Sequence, residues 1–424
     1  MGSNLMDATT GPDAADGPVV IIGGGPAGAT LARTLLAGED DVSVVLLTAE
    51  PDAPYDRTHL SKSVLTGERE APPSLYPDDL DDPRLDLRTG TEVVAVDAAS
   101  RTLTLADGDP LACGRLVLAT GASPRSLPLP GIERSGVHLV RERVAALELR
   151  DALAGGGHLV VLGGGLIGLE VAAAARQRGC EVTVLEVAAR LLGRVLPAIL
   201  ADHVQAVHRD HGTTIELGVR PTELTGEARV AGVRLADGRE LAADHVVVAV
   251  GAAPRTQLAV DAGIEVEDGI LVDDRFRTSV PGIYAIGDAV RFRACDGDGP
   301  GLRTEAWTPA LAMGQHLGRN LLGADEAYAE VPWMWSDQHD LTIQAAGSPV
   351  LDGVQRGELS ASTGMAVFGL ADGRVTGVAG VSEGRGIGRT VRGAMPMIAQ
   401  ATPVTADELA DPDVDLRRLA RERS

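Results

Sequence analysis

Two runs of glycine carry the clearest chemistry in this chain. They are Gly23-x-Gly25-x-x-Gly28 within VVIIGGGPAGATLARTLL (19–36) and Gly163-x-Gly165-x-x-Gly168 within HLVVLGGGLIGLEVAAAARQRG (158–179). The first glycine of such a motif permits a sharp turn, the second lets backbone N–H groups approach a pyrophosphate, and the third lets the helix pack closely on its strand. The helix N-terminus then offers partial positive charge to phosphate. One match is weak evidence. Two, each following an apolar strand and opening a helix, predict two dinucleotide sites, with Ile167 counted in the second cradle.

An acidic residue closes the second strand of the second unit. Glu186 ends EVTVLE (181–186) and is expected to bond both hydroxyls of an adenosine ribose. A carboxylate there repels a 2′-phosphate, so NADH is favoured over NADPH; Arg190 and Arg194 just beyond could soften that preference and leave NADPH possible.

Lys62 stands against 37 arginines as the single lysine of the chain. A lone lysine in such a background points to a place that needs a compact ammonium and does not fit a planar guanidinium. The three cysteines, Cys113, Cys180 and Cys295, show no CxxC spacing and read as small buried fillers, with neither a disulfide framework nor a metal site.

The elements that position these residues are repeated. The glycine turns recur at an offset of 140 residues, while LADG (105–108 and 235–238) and the pair LATGASPR (118–125) and VAVGAAPR (248–255) recur at 130. That pattern predicts a duplicated domain, not a solenoid. The stretch GILVDDRFRTSVPGIYAIGDAV (269–290) and a helix from about Thr308 to Leu322 have no counterpart between the repeats. They are expected to return to the first domain after the second has been inserted. The reading is an α/β fold: a discontinuous first Rossmann-like domain (17–128 and 255–331), a second (129–254), and a C-terminal α+β domain (332–424) with a helix near 386–400. The first sixteen residues and the acidic tail after Thr402 read as loose ends.

At 424 residues the chain is long enough for two to three domains. A formal charge of −22 argues against nucleic acid or an anionic membrane as partner. No apolar run reaches the roughly 18 residues of a membrane span and the first residues lack a signal pattern, so a cytoplasmic location is expected.

At PYDRTHLSK (54–62), GGGLIGLE (163–170), GIYAIGD (282–288) and PWMWSDQHD (332–340) the chain resembles the FAD-dependent pyridine-nucleotide ferredoxin reductases, the group that contains putidaredoxin reductase. The likeness runs from about residue 18 to 418. It implies FAD and NAD domains, a C-terminal interface domain, and electron transfer from NADH to a 2Fe-2S ferredoxin that serves a P450 or oxygenase. By the same resemblance Asp288 bonds the ribityl chain and nearby phosphate of FAD. Arg57, Val93, Ala119, Thr120, Gly121 and Arg125 also fall at FAD contacts, and Gly251 borders the nicotinamide. Lys62 is expected near flavin N5, paired with Glu170, with Trp335 close to the isoalloxazine and Trp307 beneath it. Trp333 reads as a packing residue. The chain departs from the family at Thr58-His59, at Ala49, which leaves Glu50 as a shifted ribose ligand, and at His339, a polar edge residue.

Docking of an acidic ferredoxin would need local basic patches, with Arg291, Arg293 and Arg303, or Arg385, Arg389 and Arg392, as candidates. Two other readings stay open: a flavoprotein NADH oxidase or disulfide reductase, and a redox-responsive binding protein resembling apoptosis-inducing factor. The first is weakened for disulfide chemistry because no cysteine lies near 54–62.

Overall fold

The computed structural model describes residues 17–38, 42–76, 81–293, 301, 303–360 and 362–423. Cys295 and the first sixteen residues lie outside that set. The chain forms two compact units, the first made of residues 1–56, 74–122 and 254–329, the second of 57–73, 123–253 and 330–424.

In the first unit five parallel strands line up in the order Ile283–Ala285, Arg115–Leu118, Val19–Ile22, Val44–Leu47, Leu85–Arg88. The two central strands VVII and VVLL are buried along their whole length, as expected of a parallel sheet covered on both faces. Helix Pro26–Leu36 lays Ala27, Ala29, Leu31, Ala32 and Leu35 into this core. Helix Trp307–Leu321 packs against it at very close range: a Cβ on Gly314 would stand 2.3 Å from the Ala27 carbonyl oxygen, and one on Gly318 2.5 Å from Thr34 Cγ2.

The second unit repeats the plan. Its parallel strands run Thr213–Leu217, Glu181–Glu186, His158–Leu162, His245–Val248, Val137–His138. Each unit also carries a three-stranded antiparallel sheet, formed by Val93–Asp97, Thr102–Leu105 and Pro110–Ala112 in one and by Pro221–Gly226, Val230–Leu235 and Glu240–Ala242 in the other. The duplicated LADG is the same tight turn in both: Gly108 N–H donates to Leu105 O and Gly238 N–H to Leu235 O, with φ of +93° and +88° at the glycines.

A third sheet, antiparallel, belongs to the second unit in the order Trp333–Gln338, Leu341–Gly347, Arg374–Glu383, Met365–Ala371, Val354–Gly357. It shares one apolar core with the parallel sheet, in which Leu159, Val161 and Val184 meet Ile343, Val367 and Val381. Residues 332–424, read from sequence as a third domain, thus share a core with 123–253 inside one compact unit. The segment Arg57–Pro73, read as part of the first domain, also belongs to the second unit, where Leu65 enters the same core. Guanidinium groups fasten it: Arg178 donates to Thr66 O at 3.2 Å, Arg150 to Glu70 O at 3.3 Å, and Arg57 to Arg141 O at 3.1 Å.

The tail after Thr402 is not a loose end. Thr405 and Glu408 form a reciprocal capping box that starts helix Ala406–Ala410, and Asp415 caps helix Leu416–Glu422. Leu409, Leu416 and Leu419 are buried in one apolar cluster with helix Ile387–Ala399 and the C-terminal sheet, and Arg356 donates to the carbonyls of Leu409, Asp411, Pro412 and Val414. The acidic composition of this stretch concealed its apolar stripe.

Candidate active site

Both glycine cradles have the same stereochemistry. Gly23 and Gly163 sit at φ +120° and +112°, and a Cβ on either would come within 2.4 Å of a carbonyl oxygen, that of Ala119 or Ala249. On Gly28 and Gly168 a Cβ would meet the carbonyl of Gly23 or Gly163 at 2.2 Å or less. These four glycines are dictated by the protein's own backbone. Gly25 and Gly165 are not: at each, an added Cβ would find open space. Each of the two is the N-cap of its helix, Pro26–Leu36 or Leu166–Gln177, with no capping side chain and no acidic residue in the first turn. A bare backbone at an uncapped helix start, with nothing of the protein to explain the missing side chain, fits a bound pyrophosphate.

The other expected cofactor residues are distributed over the same two units. In the first unit Val93 and Ala119 are buried, Thr120 Oγ1 donates to Arg255 O at 2.6 Å, and Gly121 sits at φ +67°. Asp288, half-buried, lies inside a single turn of 3-10 helix, Gly287–Ala289, whose N-cap is Ile286. Tyr55 donates its hydroxyl to Glu50 Oε2 at 2.5 Å. In the second unit Arg125 is tied to the turn at Gly251 (φ +111°), its N–H donating to Gly251 O at 2.9 Å and its Nε–H to Ala252 O at 2.7 Å. Ile167 is 46% exposed at the second cradle, an apolar side chain presented to the outside at a helix start.

Glu186 is held by its own neighbourhood. Its Oε2 accepts from Gly164 N–H and its Oε1 from Ala188 N–H, both at 2.7 Å. The carboxylate is thereby fixed beside the second glycine turn.

The second unit also brings Lys62 and Glu170 together. Lys62 Nζ stands 2.8 Å from Glu170 Oε1. Glu170 lies on the first turns of helix Leu166–Gln177 and its side chain is 3% exposed, against 21% for Lys62. Ser336 Oγ donates to Glu170 Oε1 at 2.5 Å, and Ser61 donates to Oε2. A buried carboxylate is tolerated only when its lone pairs and charge are satisfied, and here one ammonium and two hydroxyls do so.

Strand Trp333–Gln338 supplies part of that arrangement. Its side chains alternate, so Ser336 and Gln338 are buried on one face, while Trp333 and Trp335 lie together on the other with ring centroids 5.6 Å apart. Trp333 packs against the C-terminal apolar cluster. Trp307 opens helix Trp307–Leu321 in the first unit. His339 is not an edge residue: it occupies a turn at φ +51°, with its ring stacked on His211 at 4.0 Å and edge-on to His208 at 4.8 Å. Ser61, Ser336, Gln338 and His208 were missed from sequence, although the polar alternation in WMWSDQ could have signalled the middle two.

The described cysteines have no thiolate character. Burial pushes the Cys113 thiol up to about 11, outweighing nearby Arg101, and Cys180 is likewise raised within the apolar core. Among the described residues no group of His, Cys, Asp or Glu could hold a metal ion, and no helix is long and apolar enough to cross a membrane.

Two dinucleotide cradles on a duplicated α/β unit, with a buried Lys–Glu pair and, among the described residues, no activated thiol, define a flavin- and nicotinamide-dependent oxidoreductase. The chain belongs to the pyridine nucleotide-disulphide oxidoreductase family, whose pattern matches residues 17–314; residues 333–420 match the domain described as reductase C-terminal. It is 38% identical over 406 residues to the anthranilate 1,2-dioxygenase system ferredoxin–NAD(+) reductase component of Burkholderia cepacia, covering 94% of this chain and 98% of that one. Rhodocoxin reductase of Rhodococcus erythropolis is 35% identical, with coverage of 94% and 93%. Among solved structures, the covalent putidaredoxin reductase–putidaredoxin complex aligns with a TM-score of 0.89 at 31% identity, covering 96% of this chain and 99% of that one.

Proposed function

We propose that this chain is an FAD-dependent ferredoxin reductase that takes electrons from NADH and delivers them to a 2Fe-2S ferredoxin serving a P450 or oxygenase in the cytoplasm. The observation that carries this reading is the Lys62–Glu170 pair, formed by the chain's single lysine in a molecule that also holds two bare glycine cradles. Bound FAD accepts a hydride and releases electrons singly, which joins a two-electron donor to a one-electron acceptor. FAD is assigned to the cradle of Gly23, Gly25 and Gly28, with Glu50, Val93, Ala119, Thr120, Gly121 and Asp288. NADH is assigned to Gly163, Gly165, Ile167, Gly168, Glu186 and Gly251.

Lys62 contributes positive charge that stabilises reduced flavin, and Glu170 sets how much of that charge is felt. Arg57 and Arg125 complete the flavin contacts, while the indoles of Trp335 and Trp307 shield the reacting rings from water. Domain roles follow: 17–128, less the Arg57–Pro73 segment that packs in the second unit, with 255–331 for FAD, 129–254 for NADH, and 332–424 for the ferredoxin.

For docking, the two arginine groups are not equivalent. Arg291 and Arg303 pair with Asp268, and Arg293 with Glu265. Arg385, Arg389 and Arg392 are exposed at the start of helix Ile387–Ala399 and, among the described residues, make no ion pair. The second group keeps its charge for an acidic partner.

The deciding experiment is NADH-driven cytochrome c reduction with and without purified 2Fe-2S ferredoxins. Strict dependence on a ferredoxin is expected. Full-rate oxygen consumption with no protein acceptor would overturn the reading in favour of an oxidase.

A further inference from the structure

Glu170 is the end of a longer line of hydrogen bonds. Ser336 Oγ donates to Glu170 Oε1 at 2.5 Å, Gln338 Nε2 donates to Ser336 Oγ at 3.0 Å, and His208 Nε2 lies 3.0 Å from Gln338 Oε1. Ser336, Gln338 and His208 are each no more than 1% exposed. All four residues belong to the second unit.

The direction of every link is forced. A carboxylate can only accept, so the Ser336 hydroxyl spends its proton on Glu170. Its oxygen then accepts, which turns the Gln338 amide nitrogen towards it and leaves the amide oxygen for His208. His208 must therefore carry its proton on Nε2. Its Nδ1 is buried with no hydrogen-bond partner, which agrees with a neutral ring in that tautomer. Beyond it the ring of His339 meets His208 edge-on and stacks on His211, whose Nε2 lies 3.8 Å from Asp340 Oδ2. Three dipoles thus point the same way, at one carboxylate.

We propose that Ser336, Gln338 and His208 are positioning residues for the Lys62–Glu170 pair, a one-way chain that keeps Glu170 turned to Lys62 and spreads its negative charge into the core. The chain tunes the field Lys62 exerts without touching cofactor or substrate. A carboxylate stripped of these donors draws the ammonium more tightly and cancels more of its charge. This inference rests on the reading that Lys62 acts beside the flavin.

The test uses the FAD-loaded full chain, with flavin reduction by NADH followed in a stopped-flow instrument. FAD content and melting temperature serve as controls for folding. Ser336→Ala is expected to lower the limiting reduction rate about tenfold, the worth of one hydrogen bond to a charged group, with the Kd for NADH unchanged. Gln338→Leu, one link further away, acts in the same direction by a smaller factor and stands in if Ser336→Ala folds poorly. Ser336→Thr, which keeps the hydroxyl, recovers most of the rate. Combining Ser336→Ala with Lys62→Met gives no further loss beyond Lys62→Met alone, because the chain acts only through that pair. Wild-type reduction rates in both Ser336→Ala and Gln338→Leu, alongside a slow Lys62→Met, would make the chain mere core filling and overturn the proposal. Additive losses in the double variant would do the same. A Lys62→Met enzyme indistinguishable from wild type would sink the Lys62 reading itself, and the chain's role with it.

Discussion

Lys62 Nζ and Glu170 Oε1 are 2.8 Å apart, an ammonium one-fifth exposed against a carboxylate almost wholly enclosed. The asymmetry places the cost of separation on Glu170. Removing the cation leaves a buried charge held by two hydroxyls.

Lys62→Met is therefore expected to destabilise the protein by about 3 kcal/mol, the range for breaking one partner of a buried pair. Glu170→Gln in the same background removes the uncompensated charge and should restore much of that loss. Urea denaturation of the single and double variants checks this, and an unrestored double variant would contradict it.

The glycine cradles separate binding from folding. Gly25→Ala places a methyl in open space, so the apoprotein keeps its melting temperature while FAD retention drops at least about tenfold through lost backbone approach. Gly28→Ala drives a methyl against the Gly23 carbonyl and lowers the stability of the apoprotein itself. Thermal unfolding paired with the FAD-to-protein absorbance ratio distinguishes the two.

Glu186, fixed by the Gly164 and Ala188 amides, should set nucleotide choice. The wild type is expected to show the larger kcat/KM with NADH, and Glu186→Ala should narrow the NADH-to-NADPH ratio about tenfold. A larger kcat/KM with NADPH in the wild type would reverse the assignment.

Acid should weaken the second unit. Burial holds His208 down to about 4 from an ordinary 6.5, and His339 and His138 are lowered for the same first cause. The unfolded chain takes up a proton near pH 6.5 that folded His208 refuses until about pH 4. Stability is thus intact above pH 6.5 and falls as pH drops through that window, by about 3 kcal/mol for His208 alone. Urea midpoints between pH 8 and about pH 4 measure the slope, which His208→Gln should flatten.

Charge reversal at Arg389 and Arg392 should raise KM for an acidic ferredoxin about tenfold, chiefly through slower association, and leave ferricyanide reduction unchanged. Reversal at Arg293, already paired with Glu265, should have a smaller effect. Equal effects at both places would remove the distinction.

The parts of this protein legible in sequence are those set by contiguous residues. Gly23, Gly28, Gly163 and Gly168 are required by clashes with backbone only a few residues away or on the adjoining strand, and apolar runs such as VVII and HLVVL declare buried parallel strands. The LADG turns need a left-handed glycine whatever surrounds them. The duplication followed from these local signals, as did the value of a solitary lysine, while the expectation that it pairs with Glu170 came from the family resemblance.

Only the tertiary structure decided what gathers around that pair. Ser61, Glu170 and His208 come from three separate segments and Ser336 and Gln338 from a fourth, and nothing in the pitch of a helix or the pleat of a strand states which buried hydroxyl will face which carboxylate. The same holds for Arg57–Pro73, which joins the second unit through Leu65 and three arginine–carbonyl bonds, and for the tail, whose leucines join an apolar cluster with Phe368 and Val378 of the C-terminal sheet. Backbone sterics act over a few residues and are written in sequence; desolvation must be satisfied by whatever packing brings near, so its solutions appear only once the chain is folded.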